Sequence, residues 1–517
     1  MVDLVLIHPP ATLPSEPPVG PLMLAGSLRR HGVRVRLIDA NVEALVHLIE
    51  AVPGDAGHSV ADRRALARRG LALSQLRDAP TYASRDRHHS AVTALRTTLR
   101  LARSAMRIRV DLADYSDPDR SPLRLRDLRG AAADPASSPY IDYFEALARR
   151  VEALGPRAVG ISVNYLHQVL PAMALAGQLR CRLRSDMPLL VGGALISCWR
   201  GRLAPDALTP TVDRLVFGDG APTLLELLGG GQAAGEDRAA AGSIALPDYE
   251  GVPWELYLSP HKVAPLTSTR GCFWGQCRYC PEAVAGQRFS LLFGRHLTRT
   301  VALVREQSGA GLLHLTDSAL PPASLRRLTE LDGQLPWYGF ARFHRDLTDP
   351  DFCRRLRRAG CVMLQLGLES GSADMLRRLN KGIDLAQASA ALRALAGAGI
   401  ASYLYVMFGI PGEGREQAER TLAFVVDHAA AIGFLNVSLL NLPRGTPPEP
   451  GLDTRPQGGD GELSLYVGFD TRIGWQRREA RRFMERTFAR QPRVAAILRR
   501  TPHLFGASHA AFFAGCV

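Results

Sequence analysis

Lysine is almost missing from this chain. Of 517 residues only Lys262 and Lys381 are lysine, so 61 of the 63 basic residues are arginine. The formal charge of +13 would suit a polyanion, but the arginines run along the whole length and form no single block, which argues against a nucleic-acid footprint. A basic surface still suits an anionic substrate or carrier protein. Long apolar runs are missing too: no stretch of 18 apolar residues occurs, so no segment reads as a membrane span. The start, Met1-Val-Asp-Leu-Val-Leu-Ile-His, carries no basic region and no small-residue cleavage site. It reads as a buried strand and not as a secretion signal, and a cytoplasmic location is expected. A disulfide pattern is also lacking. The eight cysteines, at 181, 198, 272, 277, 280, 353, 361 and 516, do not have the spacing of a secreted framework.

What is present is a globular composition, 46% hydrophobic and 22% charged, in a chain long enough for two or three domains. Buried strands are expected over 4–7, 33–38, 158–163 and 189–193, and a strand with a sharp turn over 214–220, with helices over about 21–31, up to about 183, and after Pro222. Strand–helix alternation of this kind makes a parallel sheet covered on both faces. Glycines stand just past the strand ends, where such sheets bind ligands. From about 42 to 150 the chain turns rich in Arg, Ala and Leu at helical spacing, which reads as a helical insertion between two strands. The insertion could cover a ligand or simply stabilise the fold.

The first domain therefore spans about 1–225, and 226–262 reads as a linker. Alternation resumes with strands over 265–269, 312–316, 337–343, 362–368, 402–408 and 434–439. Six such units predict a partial (β/α)6 barrel over about 263–450. The tail, 451–517, reads as a small C-terminal helical region, with a basic helix over roughly 475–500.

Three cysteines crowd into Cys272-Phe-Trp-Gly-Gln-Cys277-Arg-Tyr-Cys280, directly after a strand. Three thiolates on one loop can ligate three irons of a cubane 4Fe–4S cluster and leave the fourth iron open. Two other readings stand beside this one. Zinc would want a fourth ligand, usually from a second Cys or His pair, and only the lone His261 and His296 lie near. The three cysteines could also be buried structural residues.

The segment resembles the radical S-adenosylmethionine (radical SAM) superfamily, whose pattern is Cys-x3-Cys-x-aromatic-Cys. Here the first gap is four residues, and Tyr279 fills the aromatic slot. The resemblance extends over 263–450. Leu366-Gly-Leu-Glu369-Ser370-Gly-Ser resembles the family's fourth-strand segment, Asn380-Lys381-Gly382 the turn that follows, and Phe408-Gly409-Ile-Pro411-Gly-Glu413 the fifth-strand turn beside the adenine. Thr316, Asp317 and Arg342 stand at strand ends where the family often contacts the nucleotide. The resemblance thus implies Cys272, Cys277 and Cys280 as cluster ligands. It implies Tyr279, Thr316, Asp317, Arg342, Glu369, Ser370, Lys381, Gly409 and Pro411 as the S-adenosylmethionine site. Glu369 could instead cap a helix, and the glycines could serve a turn with no ligand. Lys381, a lysine in an arginine-rich chain, suggests a need for a compact ammonium.

The first domain, without its insertion, resembles the cobalamin-binding Rossmann-like domain fused to some radical enzymes. The matching pieces are His8-Pro9-Pro10, Gly160-Ile-Ser162-Val163, Val191-Gly192-Gly193 and Gly218-Asp219-Gly220. The resemblance implies a cobalamin site at Pro9, Pro10, Ser162, Asn164, Tyr165, Gly192, Gly193, Gly218 and Asp219. There the small residues would let the corrin approach the backbone. The Asp-x-His-x-x-Gly motif that ligates cobalt from below is not found; Asp86-Arg-His88 lacks the glycine. Asn164, Tyr165 and His167 are the residues expected to face the lower side, although His167 could equally be a surface residue at a helix start. The domain could also keep the fold and bind no cobalamin.

Taken together, the resemblance implies a cobalamin-dependent radical SAM methyltransferase. An external one-electron reductant such as flavodoxin or ferredoxin would serve it. A 5′-deoxyadenosyl radical would take hydrogen from an unactivated carbon of a small-molecule or carrier-bound substrate, placed between the two domains, and cobalamin would supply the methyl group. Cyclisation or rearrangement without methyl transfer is the alternative within the class. A non-catalytic metal-binding or carrier protein is the alternative outside it. Cys353, Cys361 and Cys516 are loose candidates for a further relay thiol, with Cys361 expected in the core and Cys516 in an incidental tail.

Overall fold

The computed structural model describes residues 2–53, 59–102, 107–229, 245–455, 461–502, 504 and 509–513. It divides into two compact units. Unit 1 spans Met1–Val263 and takes in Asp460–Ser464; unit 2 spans Ala264–Gly459 and Leu465–Pro502. Among the described residues no helix is long and apolar enough to cross a membrane.

Unit 1 is built on five parallel strands: β1 (Leu4–His8), β2 (Val35–Asp39), β3 (Ala158–Ser162), β4 (Leu189–Gly192) and β5 (Arg214–Leu215), side by side in the order β2-β1-β3-β4-β5. β1 and β3 are buried throughout, which is why their sequences are continuous apolar runs without alternation. The strand order reverses between β1 and β3, and the carboxyl ends at that point are where open α/β sheets hold ligands. β5 is short and is followed by the expected turn, where Gly218 has φ 86°. The stretch between β2 and β3 is helical, with Ala40–Glu50, Val60–Gln75, Arg85–Ala102, Leu125–Ala133 and Ile141–Leu154 joined by one short hairpin, Arg109–Val110 with Tyr115–Ser116. His88 lies in the second long helix of this stretch, buried against Tyr82.

Unit 2 is built on a six-stranded sheet: β6 (Val263–Leu266), β7 (Leu312–Leu320), β8 (Trp337–Ala341), β9 (Cys361–Glu369), β10 (Ala401–Phe408) and β11 (Phe434–Leu439). They are ordered β11-β10-β9-β8-β7-β6, with parallel pairing from β7 to β11. With intervening helices this is the partial barrel expected from the sequence. Side chains alternate across the strands. Leu364 and Leu366 of β9 lie on one face; Gln365 and Gly367 lie on the other, in register with Tyr403 and Tyr405 of β10, and after a shift in register Glu369 stands opposite Val406. On that second face the Tyr405 hydroxyl donates to Gln365 Oε1 (3.0 Å), and Phe340 lies against the same ring. Cys353 and Cys361 are fully buried, and burial pushes both thiols up. Cys516 lies outside the described residues, as do residues 230–244 of the expected linker.

The tail departs from the expected single helix over 475–500. The helix Arg477–Phe483 runs into a wider turn over Met484–Phe488, and a separate helix, Pro492–Leu498, begins with Gln491 accepting from the Val494 amide (3.0 Å). Proline has no N–H to continue a helix but fits its first turn, so Pro492 marks a start. Ahead of these helices the tail also holds an antiparallel pair, Leu452–Arg455 with Tyr466–Thr471.

Candidate functional site

In unit 2 the three thiols lie on the loop between two short pieces, Thr269–Arg270 and the helical turn Pro281–Val284. Cys272, Cys277 and Cys280 are all free and partly exposed. Burial pushes the Cys280 thiol up, with the neighbouring Cys277 adding to the effect. Among the described residues no three His, Cys, Asp or Glu close on a single metal ion. Thiolate donors of this kind are what iron–sulfur clusters take.

The loop is pinned from several sides. Asp317, 1% exposed, accepts from the Ser268 amide (3.0 Å), the Ser268 hydroxyl (3.0 Å) and the Thr269 hydroxyl (2.6 Å), fixing the segment that leads to Cys272. Burial raises its carboxyl, although these hydrogen bonds oppose the rise. Trp274 donates from its indole to the Asn380 carbonyl (2.8 Å), and the Asn380 side chain donates to the Gln276 carbonyl (3.0 Å). Gly382 follows at φ 63°, and a Cβ there would stand 2.3 Å from the Trp274 ring. Glycine is therefore required on both counts.

Arg342 lies beneath this arrangement. Its guanidinium is 3.8 Å from Cys277 Sγ, 4.8 Å from the Trp274 ring centroid, and bonded to the Lys381 carbonyl. A fixed cation beside a thiol favours the thiolate that a metal binds. Lys381 reaches back to Glu369 (2.7 Å), both side chains being about four-fifths shielded from solvent. A Cβ at Gly367 would stand 2.5 Å from the carboxylate and 2.9 Å from the ammonium. Glu369 itself has φ 69°, the left-handed region that non-glycine residues rarely occupy; such strain collects at functional sites.

Gly409, at φ 76°, donates its amide to Glu413 Oε2 (2.6 Å). Glu413 is fully buried, and burial pushes its carboxyl up to about 7. Its Oε1 has no hydrogen-bond partner among the described residues. Pro411 is buried in the same turn. Three residues expected at the nucleotide site have hydrogen bonds within the protein. Thr316 shares its hydroxyl with Thr267 (2.6 Å), and Asp317 is committed as above. Ser370, fully buried, pairs with the Thr421 hydroxyl (3.1 Å) and accepts from the Ser372 amide (3.1 Å). A buried hydroxyl or carboxylate must find such partners.

The sequence reading missed Trp274, Glu413 and Glu449. The last accepts from the Tyr279 hydroxyl (2.6 Å) and pairs with Arg278 (3.1 Å). Burial, reinforced by Glu449, raises the Tyr279 phenol.

In unit 1 all the expected cofactor residues lie at, or just past, the carboxyl ends of β1, β3, β4 and β5. Gln168, which the sequence reading overlooked, ties them together. It is fully buried, donates to the Pro9 carbonyl (2.7 Å) and accepts from the amides of Asn164 (2.8 Å) and Tyr165 (3.1 Å). Asn164 in turn accepts from the Ala194 amide (3.0 Å) and donates to Ser162. Asp219 caps the helix Gly220–Leu228, and the Gly218 amide donates to the Ser197 hydroxyl (2.8 Å).

The glycines answer first to the chain itself. A Cβ at Gly193, where φ is 112°, would stand 2.3 Å from the Val163 carbonyl; one at Gly192 would be 3.2 Å from that of Val216; one at Gly218 would be 2.5 Å from Arg200. His8 is buried, and burial pushes its imidazole down to about 3. His167 pairs through Nδ1 with Asp114 (2.7 Å) and is about half exposed. Tyr165 is 57% exposed, an uncovered aromatic at the strand-order reversal.

Residues 266–425, which lie within unit 2, match the family model of the Radical SAM superfamily. Among solved structures the chain is similar to the radical S-adenosylmethionine methyltransferase TsrM from Kitasatospora setae. With cobalamin and a 4Fe-4S cluster bound, TsrM aligns over 90% of this chain and 85% of its own, at 17% identity and TM-score 0.51. With tryptophan substrate and the SAM analog aza-SAM bound, it aligns over 89% and 79%, at 17% identity and TM-score 0.52. At this identity the likeness is one of fold: an N-terminal Rossmann-like α/β domain followed by a radical SAM barrel. The cobalamin-dependent radical enzyme OxsB aligns over 83% of this chain and 52% of its own, at 13% identity and TM-score 0.47. No curated protein matches the sequence significantly.

Proposed function

We propose that this chain is a cobalamin-dependent radical SAM methyltransferase acting on an unactivated carbon of a small-molecule or carrier-bound substrate. The observation that carries the reading is the loop with three free thiols, pinned by Asp317 and by Asn380 and flanked by the Arg342 guanidinium. Bound there, a 4Fe–4S cluster would supply the electron that cleaves S-adenosylmethionine to methionine and a 5′-deoxyadenosyl radical, and cobalamin in unit 1 would supply the methyl group.

Cys272, Cys277 and Cys280 hold the cluster in this reading. Tyr279, Glu369 with Lys381, and the Gly409–Pro411 turn hold the nucleotide, while Arg342 balances thiolate charge. Thr316, Asp317 and Ser370 contribute by holding strand ends in place. In unit 1 the edge formed by Pro9, Pro10, Ser162, Asn164, Tyr165, Gly192, Gly193, Gly218 and Asp219 takes cobalamin. The exposed Tyr165 ring and the neutral amide network around Gln168 suit a broad, flat ligand with amide side chains. With His8 buried, the reading gives cobalt no imidazole from that residue. TsrM, with its bound cobalamin, cluster and tryptophan, supports the pairing of cofactors and a small-molecule substrate. The electron comes from an external reductant such as flavodoxin or ferredoxin.

The test is anaerobic reconstitution with iron, sulfide and hydroxocobalamin, followed by reductant and S-adenosylmethionine. The expected result is 5′-deoxyadenosine that disappears in a Cys272→Ala/Cys277→Ala/Cys280→Ala variant, with cobalamin absorbance retained in both proteins. Nucleoside without bound cobalamin would remove the methyltransferase reading and keep the radical one. Wild-type protein that takes up neither iron nor sulfide would overturn both.

A further inference from the structure

Glu449 stands 170 positions from Tyr279 in sequence, yet its carboxylate holds both residues between the second and third cysteines. Oε2 accepts from the Tyr279 hydroxyl (2.6 Å), Oε1 pairs with Arg278 (3.1 Å), and Arg378 approaches the same oxygen at 3.7 Å. The carboxylate is 16% exposed, while Arg278 and Arg378 are 49% and 42% exposed, so the acid is the shielded centre of the group. Charge-assisted bonds of this kind are among the stronger side-chain hydrogen bonds.

The segment that delivers it is stiff. Glu449 sits in Pro447-Pro448-Glu449-Pro450. Proline fixes its own φ and keeps the preceding residue extended, so little freedom is lost when the carboxylate docks. The flanks are held as well. Tyr279 packs in one apolar cluster with Leu440 and Leu442 before the prolines and with Leu452 after them. A Cβ at Gly445 would stand 3.4 Å from Val284, four residues past Cys280. Chain on both sides of Glu449 thus lies against the cysteine loop.

From this geometry we infer that Glu449 is a positioning residue for the cysteine loop. It ties down Tyr279 and neutralises Arg278, so that Cys277 and Cys280 are held at one spacing and the charge beside them is fixed. This rests on the reading of the loop as a cluster site. Groups outside the ligand set that orient metal ligands commonly change affinity or activity by 10–100-fold when removed, and net charge near an iron–sulfur cluster tunes its potential.

The test uses the full chain as wild type, Glu449→Ala, Glu449→Gln and Tyr279→Phe, with circular dichroism to confirm that each is folded. Without cluster, the readout is tryptic cleavage after Arg278, followed by the mass of the fragment that begins at Tyr279. Glu449→Ala should be cleaved about tenfold faster than wild type. Glu449→Gln, which keeps an acceptor for the phenol, should stay closer to wild type. Adding Tyr279→Phe to Glu449→Ala should change little further, because the two remove one shared contact.

After reconstitution, Glu449→Ala and Glu449→Gln should both alter the electron-paramagnetic-resonance line shape of the reduced cluster. The KM for S-adenosylmethionine should rise about tenfold in Glu449→Ala, with a smaller change in kcat. Wild-type cleavage rates and an unchanged spectrum in Glu449→Ala would overturn the inference. A wild-type protein that loads no cluster would remove the cluster role together with the reading beneath it. Faster cleavage of the variant would then still establish the tether itself.

Discussion

The two units present their strand ends in opposite chemical styles. Unit 2 surrounds three thiols with charge: Arg342 beside Cys277, Lys381 against Glu369, Arg278 and Arg378 on Glu449, Asp317 beneath Ser268. Unit 1 closes its edge mainly with neutral amides and hydroxyls, Gln168, Asn164 and Ser197, and with glycines pressed against neighbouring backbone. The first style suits a charged cluster and a zwitterionic nucleotide, whose charges need fixed counter-charges. The second suits a large ligand held mostly by shape. The same architecture of parallel strand ends thus carries two kinds of polar surface, one built mainly from charged pairs and one mainly from neutral groups.

Glycine gives the sharpest way to break this comparison. At Gly193 an added Cβ would meet the Val163 carbonyl at 2.3 Å, in a backbone conformation open almost only to glycine. Gly193→Ala should cost about 3 kcal/mol or more and release cobalamin, as read by urea unfolding and by absorbance. At Gly382 the added Cβ meets a side chain, the Trp274 ring. The ring can shift if its bond to Asn380 gives, so Gly382→Ala should cost about 1–2 kcal/mol. Equal costs would mean that the two edges are not built differently.

The pH dependence separates the units next. In unit 2 the Glu413 carboxyl is pushed up to about 7 by burial, from 4.5. Between those values the folded state keeps a proton that the unfolded chain releases. Stability is therefore full below about 4.5 and is lost as pH rises through about 7, a loss of about 3 kcal/mol. In unit 1 burial pushes Asp39 up to about 7, which acts in the same sense. There His8, pushed down to about 3 by burial, acts in the opposite one, because the unfolded imidazole takes a proton below 6.5 and the buried one does not. That contribution is present above 6.5 and is lost as pH falls. Unit 1 should therefore be nearly flat between about pH 4 and 6.5 while unit 2 weakens. Pulse proteolysis in urea, which reports each unit through its own fragments, checks this, and Glu413→Gln should reduce the slope in unit 2, leaving the part that the buried Asp317 carboxyl adds in the same sense.

The smallest effect is expected at His167. Its ring pairs with Asp114, and both side chains are about half exposed, so His167→Ala should change stability by less than about 0.5 kcal/mol and leave cobalamin bound. Loss of cobalamin in that variant would make His167 a ligand and erase the neutral character assigned to the unit 1 edge.

Much of the fold was legible because its signals are local. Buried parallel strands are runs such as Leu4–Ile7, and the insertion announces itself by helical spacing. Within the site, the cysteine triplet and the Asn-Lys-Gly turn were legible for the same reason. What was not legible depends on where side chains turn. Nothing in the sequence says that Thr316 faces Thr267 or that Ser370 faces Thr421, because either residue type serves a ligand or a neighbouring hydroxyl equally well. Glu449 was hidden by its distance in sequence, with the surrounding prolines as the only hint. The break at Pro492 could have been read from the helix pattern, since proline at that point argues against a continuous helix over 475–500.

The pairing of Lys381 with Glu369 has a practical consequence in a chain so poor in lysine. The protein offers two side-chain amines to an acylating reagent. Lys262 is exposed, with its ammonium 5.8 Å from the Trp254 ring centroid, whereas Lys381 is shielded and held by a carboxylate. The rate at which Lys381 alone is acylated therefore serves as a native reporter of that pair, slow while it is closed and fast whenever it opens, with Lys262 as the internal reference in every sample.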